Sequence, residues 1–261
     1  MVTNPAIGGA EQLAALRDQL ALGHRLLHHY GLAAYQGHVS ARVPGTEHVL
    51  IRAHPAVSLS LVQAEDLMVI DLDGNVVESS ADYPERVGAW ALHTEIYRAR
   101  PEVGSVVHTH QKWCTVFGIA GKPVLPVLHP PTASVAADPW PVYAEDGGVV
   151  GNVAQAKRVA ELLGGVVACH LRNHGMVFVG TTVSKAVLGA ADAEQQAELT
   201  WQAMLAGTPE VIPAAVMRRD IDGRFAPPQP DVRDGVARGE WGNQVWLDEH
   251  PDASYERGVW L

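Results

Sequence analysis

The stretch VVACHLRNHGMVFVG, Val166–Gly180, constrains the fold more than any other part of the chain. Two short apolar runs are separated by the polar Arg172–His174, so the segment reads as two strands joined by a turn. Helical patterns flank it on both sides. NVAQAKRVAELLGG, from Asn152, is a helix with a glycine stop, and the long segment from Thr181 to Gly207 is a helix with Thr181 or Thr182 as its N-cap.

The same alternation runs through the rest of the chain. EQLAALRDQLALGHRLLHHYGL places Leu13, Leu16, Leu20, Leu26 and Leu27 on helical spacing, with Gly31 as a stop. HVLIRA and DLMVIDLDGNVV read as strands, the second turning at Asp73–Gly74. PERVGAWALHTEIYRAR reads as a helix with Pro84 in its first turn, ending before Pro101. GSVVHTH is a strand and QKWCTVFGIAG a short helix. Lys122–Tyr143 is rich in proline and is expected to be a long loop with short edge strands. The expected architecture is one α/β domain whose sheet is covered on both faces. Beyond Thr208 the periodic signal fades. Residues 1–208 are therefore expected to form that domain. Residues 209–261, with Trp241, Trp246, Tyr255 and Trp260, are expected to form an irregular extension on that domain or on a neighbouring subunit.

A formal net charge of -10, with no basic run, argues against a nucleic-acid partner. No window approaches the ~18 uninterrupted apolar residues of a membrane span. The first twenty residues contain Glu11, Arg17 and Asp18 and lack a basic start followed by an apolar run, so no secretory signal is expected. Cys114 and Cys169 sit in apolar surroundings and read as buried thiols, which fits a reducing cytoplasm.

The end of GSVVHTH poses the chemical question. In a strand, residues two apart share a face at roughly 6.5–7 Å between Cα atoms, a spacing from which two imidazoles can converge on one ion. His108 and His110 have that spacing. His174, at the junction of the two later strands, can supply a third nitrogen, and Gly175 leaves room for it. Spacing alone also fits a pair of ordinary polar residues at a strand end.

GHVSAR (Gly37–Arg42), ALHTEIYRARPEVGSVVHTH (Ala91–His110) and RNHGMVFVG (Arg172–Gly180) resemble, in order and spacing, segments of the class II aldolase/adducin superfamily, over approximately Glu11 to Gly207. The resemblance implies a three-layer α/β/α sandwich with a central mixed, largely antiparallel sheet. It implies one divalent cation per subunit (Zn, Mn, Fe or Co) on His108, His110 and His174, and a homotetramer with active sites between subunits. A three-histidine site with open positions is the mark of a catalytic metal.

The sugar-phosphate members carry phosphate-binding segments from which this chain departs. The first turn has His38 where the family pattern has asparagine, and keeps Ser40. The second reads IRAHPA, with Arg52 and His54. The third keeps Ser79 and Ser80 but has Ala89 four residues before the helical His93, where the pattern has glutamate. The nearest glutamate is Glu85, two helical turns from His93 and so roughly 12 Å away on the expected helix. Arg52 can hold a carboxylate bidentately, and His38 or His54 can donate a hydrogen bond to it. The turn and the His108 region are most similar to the branch that decarboxylates hydroxylated aromatic or pyridine carboxylates. The expected substrate is therefore a small carboxylate, with Glu85 as proton donor and with His38, Ser40, Arg52, His54, Ser79 and Ser80 around it. Three other readings stand beside this one: an aldolase acting on a non-phosphorylated hydroxy-keto acid, a non-haem iron oxygenase, and a non-catalytic adducin-like scaffold. Trp140, Tyr143 and Tyr255 are candidates for the pocket wall.

Overall fold

A computed structural model describes residues 9–54, 58–79, 85–128, 139–213 and 215–216. The elements run α1 (Ala10–His29), β1 (His38–Arg42), β2 (Val49–His54), β3 (Leu67–Ile70), β4 (Val76–Ser79), β5 (Glu85–Arg86), α2 (Trp90–Ala99), β6 (Ser105–Thr109), α3 (Lys112–Ala120), β7 (Val142–Tyr143), α4 (Val153–Leu163), β8 (Ala168–Leu171), β9 (Gly175–Gly180) and α5 (Val183–Ala206). Among the described residues the strands form one sheet in the order β4-β3-β2-β1-β6-β9-β8-β7, with β5 paired to the end of β2. Every pairing is antiparallel except β7 with β8.

Side chains alternate across a strand, so each central strand feeds two cores. Val39, Ala41, Leu50, Val107, Met176 and Phe178 pack on one face beneath α1, α3 and α5. Val49, Ile51, Val106, Val177 and Val179 pack on the other beneath α2 and α4. The result is the expected three-layer sandwich. Leu20 and Leu27 of α1 are fully buried, and truncating either to alanine is expected to cost about 2–5 kcal/mol. Thr182, one of the two expected caps, is the N-cap of α5: its hydroxyl accepts the Lys185 N–H. Cys114 and Cys169 are free and buried. No helix among the described residues is long and apolar enough to cross a membrane.

Two expectations are corrected. The helix expected from Pro84 begins six residues later, at Trp90. Glu85 and Arg86 instead pair with His54 and Ala53, and the Arg86 guanidinium lies over the Trp90 ring, 4.7 Å from its centroid. The tertiary pairing overrides the local proline signal. GHVSAR, read as a turn, is a turn only at Gly37. From His38 it is β1, the strand between β2 and β6.

Candidate metal centre

β1 and β6 bring His38 opposite His108. His110 follows the end of β6, and its backbone N–H donates to Leu32 O at 3.1 Å. The β8–β9 turn delivers His174. Asn173 beside it takes φ 62°, a left-handed conformation that asparagine tolerates. The three rings gather closely: centroids are 4.7 Å apart for His108 and His110, 5.0 Å for His108 and His174, and 4.9 Å for His110 and His174. One ligand nitrogen from each lies within 4.8 Å of the others, so the cluster could hold a metal ion.

The hydrogen bonds behind the rings settle which nitrogens face inward. His108 Nδ1 meets Met176 O at 2.8 Å, His110 Nδ1 meets Gln36 O at 3.1 Å, and His174 Nδ1 meets Gly148 O at 3.0 Å. A carbonyl only accepts, so each Nδ1 carries a proton, and in the neutral ring each Nε2 keeps its lone pair. His110 Nε2 and His174 Nε2 are 3.0 Å apart. Two lone pairs meet there with no proton between them, an arrangement that a shared cation stabilises. Burial first, then the neighbouring His110 and His174, holds the His108 imidazole well below its ordinary range and therefore neutral. His110 is shifted down by burial and by His174. A neutral three-imidazole donor set fits Zn, Mn, Fe or Co.

Close backbone approach makes this convergence possible. Gly148 has φ 81°, and a Cβ there would stand 2.3 Å from Arg172 O. A Cβ on Gly175 would stand 2.1 Å from Thr109 O and 3.1 Å from His110 Cδ2.

The other expected site residues are placed as follows. His38 is beside the cluster, its ring 5.0 Å from that of His108. Ser40 is fully buried, and its hydroxyl is engaged by His93 Nδ1 at 2.6 Å and by the Tyr97 hydroxyl at 2.8 Å. Arg52 is 2% exposed, and its Nη2 donates to Tyr35 O at 3.1 Å. Burial pushes its guanidinium down to about 10. It ties down the loop whose next residue, Gln36, meets His110 Nδ1. His54 pairs in register with Glu85, and Glu85 is exposed at the end of the sheet that carries His38 and His108. The expected helical separation of Glu85 from His93 therefore does not apply. Ser79 shares the register row of Ser40 but lies three strands away, on the edge strand β4. Ser80 and Tyr255 lie outside the described residues. Trp140 and Tyr143 pack in the two cores rather than in a cleft wall.

Sequence reasoning gave no role to His24, His93 or Tyr97. His24 is fully buried. Its Nδ1 donates to Leu20 O, and its Nε2 accepts the Val39 N–H at the point where the β1–β2 pairing ends. His93 and Tyr97 are four residues apart on α2, and this i, i+4 spacing was the available signal.

Comparison with known proteins places these features in context. Residues 18–201 match the family described as Class II Aldolase and Adducin N-terminal domain. The chain is 32% identical over 205 residues to a 3,4-dihydroxyphthalate decarboxylase of Arthrobacter keyseri, covering 74% of this chain and 81% of that one. It is 30% identical over 169 residues to a 5-methylthioribulose-1-phosphate/5-deoxyribulose-1-phosphate aldolase of Rhodospirillum rubrum, covering 64% and 74%. The fold matches the crystal structure of an aldolase II superfamily protein from Pseudomonas syringae with a TM-score of 0.77 at 24% identity, covering 94% and 96%.

Proposed function

The chain belongs to the class II aldolase and adducin family, and from that premise we propose that it is a divalent-metal-dependent carbon–carbon lyase that decarboxylates a small hydroxylated aromatic or heteroaromatic carboxylate. The observation that carries this reading is the convergence of three Nε2 lone pairs, each fixed by an Nδ1–H bond to a backbone carbonyl. His108, His110 and His174 would hold the ion through those nitrogens. A divalent cation bound there supplies Lewis acidity toward a substrate oxygen.

The chain's own residues divide the remaining work. The bond from the ring carbon to the carboxylate carbon breaks, carbon dioxide leaves, and the electron pair stays on the ring carbon, which must then take a proton. Glu85, exposed beside His54 at the same end of the sheet, is the proposed source of that proton. His38 stands next to His108 and would bind and orient the departing carboxylate. Arg52 and Ser40 act behind it, Arg52 on the Tyr35–Gln36 loop and Ser40 on His93.

The aldolase relative of Rhodospirillum rubrum, named for sugar-phosphate substrates, favours aldol cleavage as a second reading, which we place on a hydroxy-keto acid that lacks phosphate. His38 in place of the asparagine of the sugar-phosphate pattern argues against a phosphorylated substrate. We read the assembly as a cytoplasmic homotetramer with residues 209–261 as its extension. Ile119, Trp201, Met204 and Leu205 leave apolar surface on α3 and α5 for subunit contact.

The test is carbon dioxide release from dihydroxyphthalates, hydroxybenzoates and hydroxypyridine carboxylates, with Mn, Zn, Fe or Co supplied in turn. Release from at least one ortho-hydroxy acid is expected. Pyruvate release from a hydroxy-keto acid without any decarboxylation would favour the aldolase. Dioxygen consumption with iron would favour an oxygenase, and a protein that binds no metal and turns over nothing would be a scaffold.

A further inference from the structure

The side chains behind His38 form a continuous hydrogen-bonded row. His38 Nδ1 lies 2.6 Å from His93 Nε2, His93 Nδ1 lies 2.6 Å from Ser40 Oγ, and Ser40 Oγ lies 2.8 Å from the Tyr97 hydroxyl. Ser40 and His93 are fully buried and Tyr97 is 1% exposed, while His38 keeps 7%. The fold builds the row by two periodicities. His38 and Ser40 share a face of β1, and His93 and Tyr97 share a face of α2 one turn apart.

The direction of the row follows from its buried end. Burial pushes the Tyr97 phenol well above its ordinary range, so it stays protonated. Its bond to the Val106 backbone favours the phenolate, as an N–H donor does and a carbonyl does not. The phenol proton therefore needs an acceptor, and among the described residues Ser40 Oγ, 2.8 Å away, provides it; a buried O–H left unpaired costs about 1–3 kcal/mol. Ser40 then donates its own proton to His93 Nδ1. Burial holds the His93 ring neutral, pushed down to about 3. A neutral ring that accepts at Nδ1 carries its proton at Nε2, and from there it donates to His38 Nδ1. His38 Nδ1 accepts that proton and so carries none of its own, which leaves the ring's proton on Nε2. Nε2 is the nitrogen left to meet the cleft beside His108.

We propose that Tyr97, Ser40 and His93 are positioning residues that fix His38 as an Nε2–H donor facing the histidine cluster, so that the site selects a substrate presenting an anionic oxygen there. The metal-site histidines hold the opposite tautomer, with lone pairs inward, and the cleft thus has an acceptor side and a donor side. Naming that oxygen as a carboxylate rests on the decarboxylase reading above; the tautomer does not. Reversing the row would turn a lone pair of His38 toward the substrate and repel a carboxylate.

Long-range 1H–15N correlation of histidine side chains, on metal-free and zinc-loaded protein labelled with 15N-histidine, reads the tautomers without any turnover. His38 and His93 are expected as Nε2–H, and His108, His110 and His174 as Nδ1–H. His38 found as Nδ1–H in the wild-type protein would overturn the proposal, whatever the variants do. Ser40→Ala is expected to move His38 toward the Nδ1–H form. It should also weaken salicylate binding to the zinc-loaded protein about tenfold, roughly the worth of one hydrogen bond. Catechol, which lacks the carboxylate, should bind as before, and Ser40→Thr should restore salicylate. A Ser40→Ala protein whose His38 stays Nε2–H would count against the row as the cause. Should no carboxylic acid release carbon dioxide while the tautomers are as stated, the decarboxylase reading falls and the donor assignment stands.

Discussion

His110 Nε2 and His174 Nε2 face each other across 3.0 Å, and the opposite nitrogen of each ring is bonded to a backbone carbonyl. While neutral, neither ring can supply a proton to that short contact without giving up its carbonyl. The contact is held in place by strand pairing, by the Asn173 turn and by the missing Cβ of Gly175, and each is open to experiment.

Gly175→Ala places a methyl group against Thr109 O and the His110 ring. The strands must part at the position that carries two of the histidines. A loss of about 1–3 kcal/mol in urea unfolding is expected from the overpacking. Zinc affinity measured by calorimetry is expected to fall with it. Unchanged zinc affinity would show that the cluster does not depend on this approach.

Arg52→Ala removes the donor to Tyr35 O and frees the loop that carries Gln36 O to His110. Groups that orient metal ligands are typically worth 10–100-fold in affinity. Zinc should bind about tenfold more weakly, with the KM for a carboxylate substrate rising as a consequence. A raised KM with zinc affinity intact would return Arg52 to direct substrate contact.

Glu85→Gln keeps the size of the side chain and removes its proton. If Glu85 is the donor, kcat falls at least about 10²-fold while KM changes little. A rate close to wild type would assign the proton to another group.

Acid should destabilise the fold through His24. Its ring is pushed down to about 3, burial being the largest cause, and both of its nitrogens are bonded as the neutral form requires. In the unfolded chain the ring titrates near 6.5. Above that pH both states are neutral and the full stability is present. As pH falls from 6.5 toward 3, the unfolded chain binds the proton first, and stability drops by up to about 1.4 kcal/mol per pH unit. His93, also pushed down to about 3, adds to the slope. Urea midpoints measured from pH 7 to 4.5 should show this fall, and His24→Gln should flatten it. An equal slope in the variant would assign the acid sensitivity elsewhere.

The histidine cluster was legible because its signals are local. Two histidines two apart on a strand share a face, and a third sat at an obvious turn between two apolar runs. The start of α2 was not legible, because Pro84 is a good first-turn residue and only the pairing of Glu85 and Arg86 with β2 decides otherwise. β1 was hidden by its letters: His38, Ser40 and Arg42 look like loop chemistry, and only their place between β2 and β6 makes them core. The same burial encloses Arg52 and Ser40, both expected among the substrate contacts. The role of His93 needed both the helix and the strand in place, since its partners lie 53 and 55 residues away.

The central claim is that His108, His110 and His174 hold one divalent cation through Nε2. Anomalous diffraction from crystals grown with zinc or manganese tests it directly. One peak about 2.0–2.3 Å from all three Nε2 atoms, absent in His174→Ala crystals, is the predicted result. Wild-type crystals at saturating metal with no peak between these three rings would contradict it.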